Sequence, residues 1–470
     1  MPQTSPAKSY FCVNHKGDAY SLDFVEECAQ RIKMWHFNYN PEPTKPISIS
    51  TDDALASILI AAFWMAGVPF YSWPSGVKDD ILNTVSKGIK PRFFLSTGKT
   101  QVPDSNLEHV LIDELPLADG KVLEPVNKDK VFGFFLTSGT TSAPKVVALK
   151  RSQIIQATKS ASANKMPCSD ERWLLSLPLN HVGGTALILR SLINGNGIAD
   201  YRKAGIEDIG KALAEKEDIT MISMVPTQLA KLYNEMPDFK PHKKFKAVLL
   251  GGGPSGDELL KKARDSGLKI VKSYGMTETC AQITAVPYEK INETAPDSSG
   301  MIMPGNEIEI RDENDTVLPA ETEGLIWLRG AQVINEYVYP PEANQAFDNN
   351  GWFNTGDYGL LDEKGHLFVK MRRQDLIITG GENVNPVTVE AELLKLDGIE
   401  DACVIGVKDN YWGQAVNAFV VCESEAYKPD EWKKTLSVQI RKFEIPQAFH
   451  LIDEIPRNET GKIQRNKLKI

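Results

Sequence analysis

From the N-terminal region to Leu250 the chain alternates between two hydrophobic patterns, and this alternation constrains the fold more than any other feature. Helical patterns run over Asp52 to Ala66, Arg151 to Ala163, Gly184 to Ile193 and Ile206 to Lys216. Among them lie short apolar runs of strand length, Val110-Leu111-Ile112, Val131 to Leu136 and Arg172 to Leu177. Such alternation predicts an α/β fold with largely parallel sheets. Two further strands, Ala247-Val248-Leu249-Leu250 and Lys269-Ile270-Val271, end in unusual loops, Gly251-Gly252-Gly253-Pro254 and Ser273-Tyr274-Gly275-Met276-Thr277-Glu278. Ligands of doubly wound sheets sit beyond the carboxyl ends of strands, so both loops are candidate walls of a site.

A third strand runs straight into hydroxyls, a glycine and a cation, in Phe134-Phe135-Leu136-Thr137-Ser138-Gly139-Thr140-Thr141-Ser142-Ala143-Pro144-Lys145. Gly139 can take backbone angles closed to other residues, the hydroxyls and free amides can donate to phosphoryl oxygens, and Lys145 can offset the charge of a polyphosphate. The Gly-x4-Gly-Lys-Ser/Thr spacing is absent, so a P-loop kinase or GTPase fold does not follow. Alone, the run reads equally well as an ordinary Ser/Thr-rich turn.

A length of 470 residues predicts more than one domain, and 42% hydrophobic with 24% charged residues excludes wholesale disorder. The net charge of -9 argues against a general nucleic-acid or anionic-membrane binder. The six cysteines, Cys12, Cys28, Cys168, Cys280, Cys403 and Cys422, form no Cys-x-x-Cys or Cys/His pairing, which points to reduced thiols in a cytoplasmic protein without a zinc site. Met1-Pro2-Gln3-Thr4-Ser5 begins no secretion signal. Ala54 to Val77 carries no charge and is long enough to suggest a membrane span, yet Gly67-Val68-Pro69 breaks it. The helix left, Asp52 to Ala66, is ~22 Å long at 1.5 Å per residue, and reads as a buried helix before a strand, with no integral membrane segment.

After Thr284, short segments such as Glu307 to Ile310 and Gly324 to Leu328 suggest a small antiparallel β unit. The charged run Lys370-Met371-Arg372-Arg373-Gln374-Asp375 follows the strand His366 to Val369 and is the expected linker. Beyond it the pattern reads strand, helix (Pro386 to Leu396), strand (Ala402 to Val407), strand (Ala415 to Cys422) and a helix within Pro429 to Arg441. This is enough for a small α+β domain with its own core, and gives expected domains of 1–373 and 374–470.

Five segments in this order resemble the acyl- and aryl-adenylating superfamily, which includes the AMP-dependent acyl-CoA synthetases. They are Thr137 to Lys145, Tyr274 to Glu278, Gly351-Trp352-Phe353-Asn354-Thr355-Gly356-Asp357, Arg372 to Glu390, and Pro456-Arg457-Asn458-Glu459-Thr460-Gly461-Lys462-Ile463. The resemblance implies a large N-terminal domain of packed α/β subdomains with a small β-barrel, and a small mobile α+β C-terminal domain hinged at Gln374. It implies two half-reactions: a carboxylate attacks the α-phosphate of ATP to give an acyl-adenylate and pyrophosphate, then the thiol of CoA displaces AMP. Because an anion must approach an anion, catalysis is mostly positioning and cationic stabilisation.

By resemblance, Thr137, Ser138, Gly139, Thr140, Thr141 and Lys145 form the loop over the β- and γ-phosphates. Thr277 reaches the α-phosphate, Glu278 holds Mg2+, and Tyr274 is counted with the nucleotide contacts. Gly251, Gly252 and Gly253 match the loop against adenine, Asp357 the acid that accepts the ribose hydroxyls, and Arg372 a second ribose contact. Lys462 matches the lysine that bridges acyl carboxylate and α-phosphate, and Gly380 and Gly381 would lie against the pantetheine arm of CoA. Each has a plainer reading: Thr277-Glu278 as a helix start, Asp357 as a turn former, and Lys462 as a solvated lysine in a tail that also holds Arg465, Lys467 and Lys469. Four residues depart from the family pattern: Ser142 and Val146 stand where glycine is usual or frequent, Met371 replaces the glycine before Arg372, and hinge Gln374 replaces a commoner acidic, lysine or serine residue.

The substrate reading rests on Leu177-Pro178-Leu179-Asn180-His181-Val182-Gly183-Gly184, similar to the segment whose histidine borders the acyl site. Arg190 lies on an apolar helix that seldom carries arginine without a partner, because an unpaired buried charge is costly; otherwise it sits at the helix end and snorkels to water. The spacing from His181 to Arg190 resembles that of the o-succinylbenzoate-CoA ligases of menaquinone biosynthesis, where such an arginine fits the second carboxylate. That branch is the expected function, with ATP, Mg2+, CoA and a small carboxylic acid as partners and the oligomeric state open. A generic aryl- or medium-chain acyl-CoA synthetase, a stand-alone adenylation enzyme loading a carrier protein, and a non-catalytic nucleotide-binding protein are the alternatives.

Overall fold

A six-stranded and a nine-stranded sheet carry most of the N-terminal part of the chain. The computed structural model describes residues 10–40, 42, 44–74, 77–98, 101–116, 126–137, 144–164, 172–409, 411–457, 461 and 463–470, with the backbone alone at positions 374 and 383. Two compact units emerge, one of 1–307 with 328–353, the other of 308–327 with 354–470. Position 374 falls inside the second unit.

In the first unit, the six-stranded sheet has the order Glu108–Leu111, Phe93–Ser96, Ile47–Ser50, Phe70–Trp73, Val131–Thr137 and Lys145–Lys150. All neighbours are parallel except the last pair, an antiparallel hairpin in which Thr137 faces Lys145. The nine-stranded sheet runs Met301–Ile302, Ala281–Ala285, Ile270–Met276, Ala247–Leu250, Ile219–Met224, Arg172–Leu175, Gly197–Asp200, Cys12–Asn14 and Ala19–Tyr20. Its six central strands from Ile270–Met276 to Cys12–Asn14 are parallel. Every residue of Ile219–Met224 is buried, as expected of a parallel strand covered on both faces. One cover is the helix Ile206–Glu215, whose Ile206, Ile209 and Leu213 pack with Ile222, Leu229 and Val248 at helical spacing.

The uncharged segment forms the helix Ala56–Ala66, buried along all but one residue and closed by Gly67 at φ 69°. It begins four residues later than the pattern predicts because Asp53 is spent on other bonds. The Asp53 carboxylate accepts from Leu55 N at 2.8 Å and from Thr97 N and Oγ1 at 2.7 and 2.6 Å, which holds the preceding turn out of helix. No helix among the described residues is long and apolar enough to cross a membrane. Among the described residues, four α-helices of the unit were not singled out by the patterning: Leu22–Tyr39, Asp79–Thr84, Pro226–Glu235 and Asp257–Asp265.

The β unit expected after Thr284 takes the form of a four-stranded sheet, Asn306–Arg311, Gly324–Gly330, Phe353–Leu361 and Leu367–Arg372, most of whose residues belong to the second unit. Beyond it, Glu382–Val384, Ile377–Thr379, Gly413–Val421 and Asp401–Asp409 form a second sheet in that order, with Ala448–Leu451 also paired to Gly413–Val421. Helices Pro386–Leu393 and Pro429–Leu436 cover it through Val389, Leu393, Trp432 and Leu436, which share one core with Ile377, Val404 and Val420. Each helix starts with proline at its first position, where no amide hydrogen is needed, and Asn385 caps the first by accepting from Val387 N at 2.9 Å. Arg465 is no solvated tail residue: its Nη2 donates to both Glu390 carboxylate oxygens at 2.6 and 2.7 Å, and its Nη1 lies 3.5 Å from Asp375 Oδ2.

Candidate active site

Three parallel strands deliver expected site segments to one end of the nine-stranded sheet. Arg172–Leu175 leads into the segment of His181, Ala247–Leu250 into Gly251-Gly252-Gly253, and Ile270–Met276 into Thr277-Glu278, while Ile219–Met224, between the first two, leads into Val225-Pro226. Parallel order alone makes these loops neighbours, as expected at the carboxyl end of such a sheet.

His181 is the N-terminal flank of helix Val182–Asn194, and its carbonyl accepts from Gly184 N at 3.2 Å. Burial holds its imidazole below the ordinary histidine pKa. Gly184 is required for packing, since a Cβ there would stand 2.5 Å from the Pro178 carbonyl oxygen. In the glycine loop, a Cβ on Gly251 would stand 2.8 Å from Ser273 Oγ, and Gly252 adopts φ 84°. Gly252 and Gly253 are exposed, which leaves bare backbone on that side of the loop.

Strand Ile270–Met276 is longer than expected and absorbs Ser273 to Met276, because it turns at Thr277–Thr279 and pairs back with Ala281–Ala285. Tyr274 lies within this strand opposite Thr284. Glu278 is therefore in the single 3-10 turn Thr277–Thr279 of a hairpin, and no α-helix starts there. Cys280 and Ala281 both take left-handed backbone angles, φ 55° and 77°, which cost non-glycine residues about 1–2 kcal/mol each. Gln332 holds the turn in this shape, its amide donating to Thr279 O and Gln282 O, both at 2.8 Å.

Glu278 is 8% exposed and accepts on Oε1 from the Tyr337 hydroxyl at 2.7 Å. The Lys145 ammonium lies 4.8 Å from the centre of the same tyrosine ring. Tyr337 thus brings together two expected site residues from different sheets. Nothing in the sequence marked it, because its partners Lys145 and Glu278 lie far away in the chain. A carboxylate oxygen already oriented by a hydroxyl suits a hard cation such as Mg2+. No three His, Cys, Asp or Glu side chains gather as a metal cage among the described residues, and Mg2+ bound through one carboxylate, phosphates and water needs none.

Arg190 is 6% exposed in the body of helix Val182–Asn194, so it does not snorkel to water. Its Nη1 donates to Gln282 Oε1 at 3.4 Å, and its guanidinium lies 5.5 Å from the Trp173 ring centre. Cys280 is fully buried nearby, its thiol pushed up to about 12 by burial. Nine residues of rise, about 14 Å along the axis, separate Arg190 from His181, so the helix does not bring the two together.

In the second unit, Asp357 is an interior strand residue opposite Arg372, with Arg372 Nε 3.1 Å from Asp357 Oδ1. Asp357 lies within the strand Phe353–Leu361, after Gly356 at φ 71° and before a register shift at Tyr358 and Gly359, and not in a turn between elements. Gly380 and Gly381, both at positive φ, form the two-residue turn of hairpin Ile377–Thr379 and Glu382–Val384, and a Cβ on Gly380 would stand 2.8 Å from Trp412 Cε3. Met371 lies in the pair opposite Tyr358, and Val146 is a fully buried core residue. Ser138, Gly139, Thr140, Thr141, Ser142 and Lys462 lie outside the described residues, as does the side chain of Gln374.

A doubly wound core with its loops at one strand end, followed by a small α+β element, defines a nucleotide-dependent enzyme class. The chain belongs to the AMP-binding enzyme family, whose profile matches residues 75–338, and the AMP-binding enzyme C-terminal domain matches residues 388–462. It is similar to the 2-succinylbenzoate–CoA ligase of Bacillus pumilus, 36% identical over 384 residues, which is 82% of this chain and 75% of the relative. Among solved structures it is similar to the o-succinylbenzoate CoA synthetase of Bacillus subtilis in complex with the acyl-adenylate intermediate OSB-AMP, with a TM-score of 0.89, 28% identity and coverage of 99% of this chain and 96% of that one. The same synthetase with ATP and magnesium ion matches at a TM-score of 0.87, 28% identity and 98% and 97% coverage.

Proposed function

We propose that the chain is an ATP-dependent o-succinylbenzoate-CoA ligase of menaquinone biosynthesis, acting in the cytoplasm. The observation that carries this reading is one hairpin, with Glu278 in its turn and Gln282 on its return strand bonded to Arg190. The residue expected at the nucleotide thereby lies on the same hairpin to which the residue expected at the acid, on helix Val182–Asn194, is bonded. The acyl-adenylate and the ATP with magnesium ion bound by the similar Bacillus subtilis synthetase support the same ligands here.

In this reading, a carboxylate oxygen of the acid bonds to the α-phosphorus of ATP and pyrophosphate leaves; the CoA sulfur then bonds the acyl carbon, loses its proton, and AMP leaves. Thr137, Ser138, Gly139, Thr140, Thr141 and Lys145 bind the outer phosphates, and Thr277 the α-phosphate. Glu278 holds Mg2+, whose charge offsets that of the phosphates. Gly251, Gly252 and Gly253 border the adenine, Tyr274 is a further nucleotide contact, and Asp357 with Arg372 borders the ribose. His181 borders the acyl group, and Arg190 meets its second carboxylate as a planar, permanently charged fork. Residues 374–470 form a domain that turns about Gln374, exchanging Lys462 at the α-phosphate for Gly380 and Gly381 at the pantetheine arm.

The test is pyrophosphate release with MgATP and CoA, comparing o-succinylbenzoate with benzoate, octanoate and acetate. A strong preference for o-succinylbenzoate is expected. Preference for a monocarboxylate sinks the substrate while keeping the ligase chemistry, and silence on every acid sinks both.

A further inference from the structure

We infer that Tyr337 is a positioning residue that sets the separation and orientation of Lys145 and Glu278. The inference rests on the reading of Glu278 as the Mg2+ ligand and Lys145 as a phosphate contact. Three observations carry it, and each lies within the first unit.

The first is the side chain itself. Its hydroxyl donates to Glu278 Oε1 at 2.7 Å while its ring face lies 4.8 Å from the Lys145 ammonium, within cation–π range. One rigid phenol therefore touches an anion and a cation that come from different sheets. The second is the backbone around it. Ile334 N donates to Glu278 O at 2.9 Å, and on the other side Val338 N donates to Val146 O at 2.8 Å while Val146 N donates to Tyr339 O at 2.6 Å. The segment is thus stitched at one end to the Glu278 turn and at the other to the residue after Lys145. The third is that Tyr337 cannot drift independently. Its amide donates to Asn344 Oδ1 at 2.7 Å, Asn344 Nδ2 donates back to Tyr337 O at 3.3 Å, and the ring packs on Phe347 and Phe353 at 5.8 and 6.4 Å.

A hydroxyl bond to one oxygen fixes the rotation of a carboxylate while leaving acceptor capacity for a hard cation, since two oxygens offer about four lone-pair sites. Groups that orient a ligand in this way are worth about 10–100-fold in metal affinity. The ring constrains the long lysine stem by a separate contact. Phenylalanine would keep the second effect and lose the first.

The experiment is calorimetric titration of the full chain with ATP at graded Mg2+, without acid or CoA, and with AMP in the absence of Mg2+, beside a thermal melt. Tyr337→Phe is expected to raise the Mg2+ concentration for half-maximal ATP binding about tenfold, with AMP affinity and melting temperature close to those of the parent. An unchanged Mg2+ requirement, or an equal loss of AMP affinity, overturns the inference. Asn344→Ala, which loosens the Tyr337 backbone and leaves the phenol and carboxylate intact, should raise the requirement in the same direction; no rise there also counts against it, and it serves alone if Tyr337→Phe does not fold. Glu278→Gln separates the two levels of the argument. If it leaves the Mg2+ requirement unchanged, the reading of Glu278 has failed; if it raises the requirement while Tyr337→Phe and Asn344→Ala match the parent, only the role of Tyr337 has failed.

Discussion

Asp357 and Arg372 face each other across an antiparallel strand pair, with the arginine Nε 3.1 Å from the carboxylate Oδ1. The Asp357 side chain is 5% exposed and that of Arg372 32%, so the pair sits half in solvent with its anion inward. Two residues far apart in the motif pattern are thus one unit, fixed by strand register. Asp357→Asn is expected to raise the KM for ATP about tenfold or more, because it weakens acceptance from two ribose hydroxyls. It should also lower stability by about 1–2 kcal/mol, less than for a buried pair because Arg372 reaches water. Steady-state kinetics and denaturant titration check both; an ATP KM like the parent's would remove Asp357 from the ribose site.

Val146, where related chains frequently carry glycine, is a core residue here. It packs with Tyr71, Trp73 and Tyr339, and a Cβ on Gly88 would stand 2.9 Å from its Cγ2. Restoring the family residue with Val146→Gly should destabilise the chain by about 2–4 kcal/mol, through a cavity and added backbone freedom. Thermal melting measures this, and an unchanged midpoint would show that the Val146 side chain adds nothing to the stability of this core.

Arg190→Ala is expected to raise the KM for o-succinylbenzoate at least tenfold while the KM for ATP stays within about twofold. A loss confined to ATP contradicts the placement of Arg190 at the acid.

His181 gives a pH dependence whose sign follows from burial. Its folded-state pKa lies below the ordinary value of about 6.5, so in acid the unfolded chain binds a proton that the folded chain resists. The neutral imidazole is thus compatible with full stability above about pH 6.5, and stability falls as the pH drops from there through the depressed folded value. His181→Asn should flatten this part of the stability profile, measured by denaturant titration between pH 5 and 8; an unaltered slope assigns it to other groups.

Lys462→Ala is expected to abolish pyrophosphate release while sparing thioester formation from supplied acyl-adenylate. Equal damage to both halves would rule out a role limited to adenylation.

Much was legible along the chain because it depends on local pattern. The helices at Arg151, Val182 and Ile206 and the strands at Val131, Arg172 and Ala247 follow from hydrophobic period and turn residues. The motif segments announced a nucleotide chemistry through residue types alone. What the sequence could not announce were relations between distant positions. Tyr337 meets Glu278 because a hairpin turn and a loop 59 positions away in the chain pack together. Arg190 is buried against Gln282, 92 positions on, and lies about 14 Å along its helix from the His181 with which spacing had paired it. Sequence by itself determined the periodicities, the hydroxyl- and glycine-rich loops and the family. Tertiary structure decided which charges are buried together and which backbone is held under strain, since burial and hydrogen-bond partners depend on strand order and register that no local window contains.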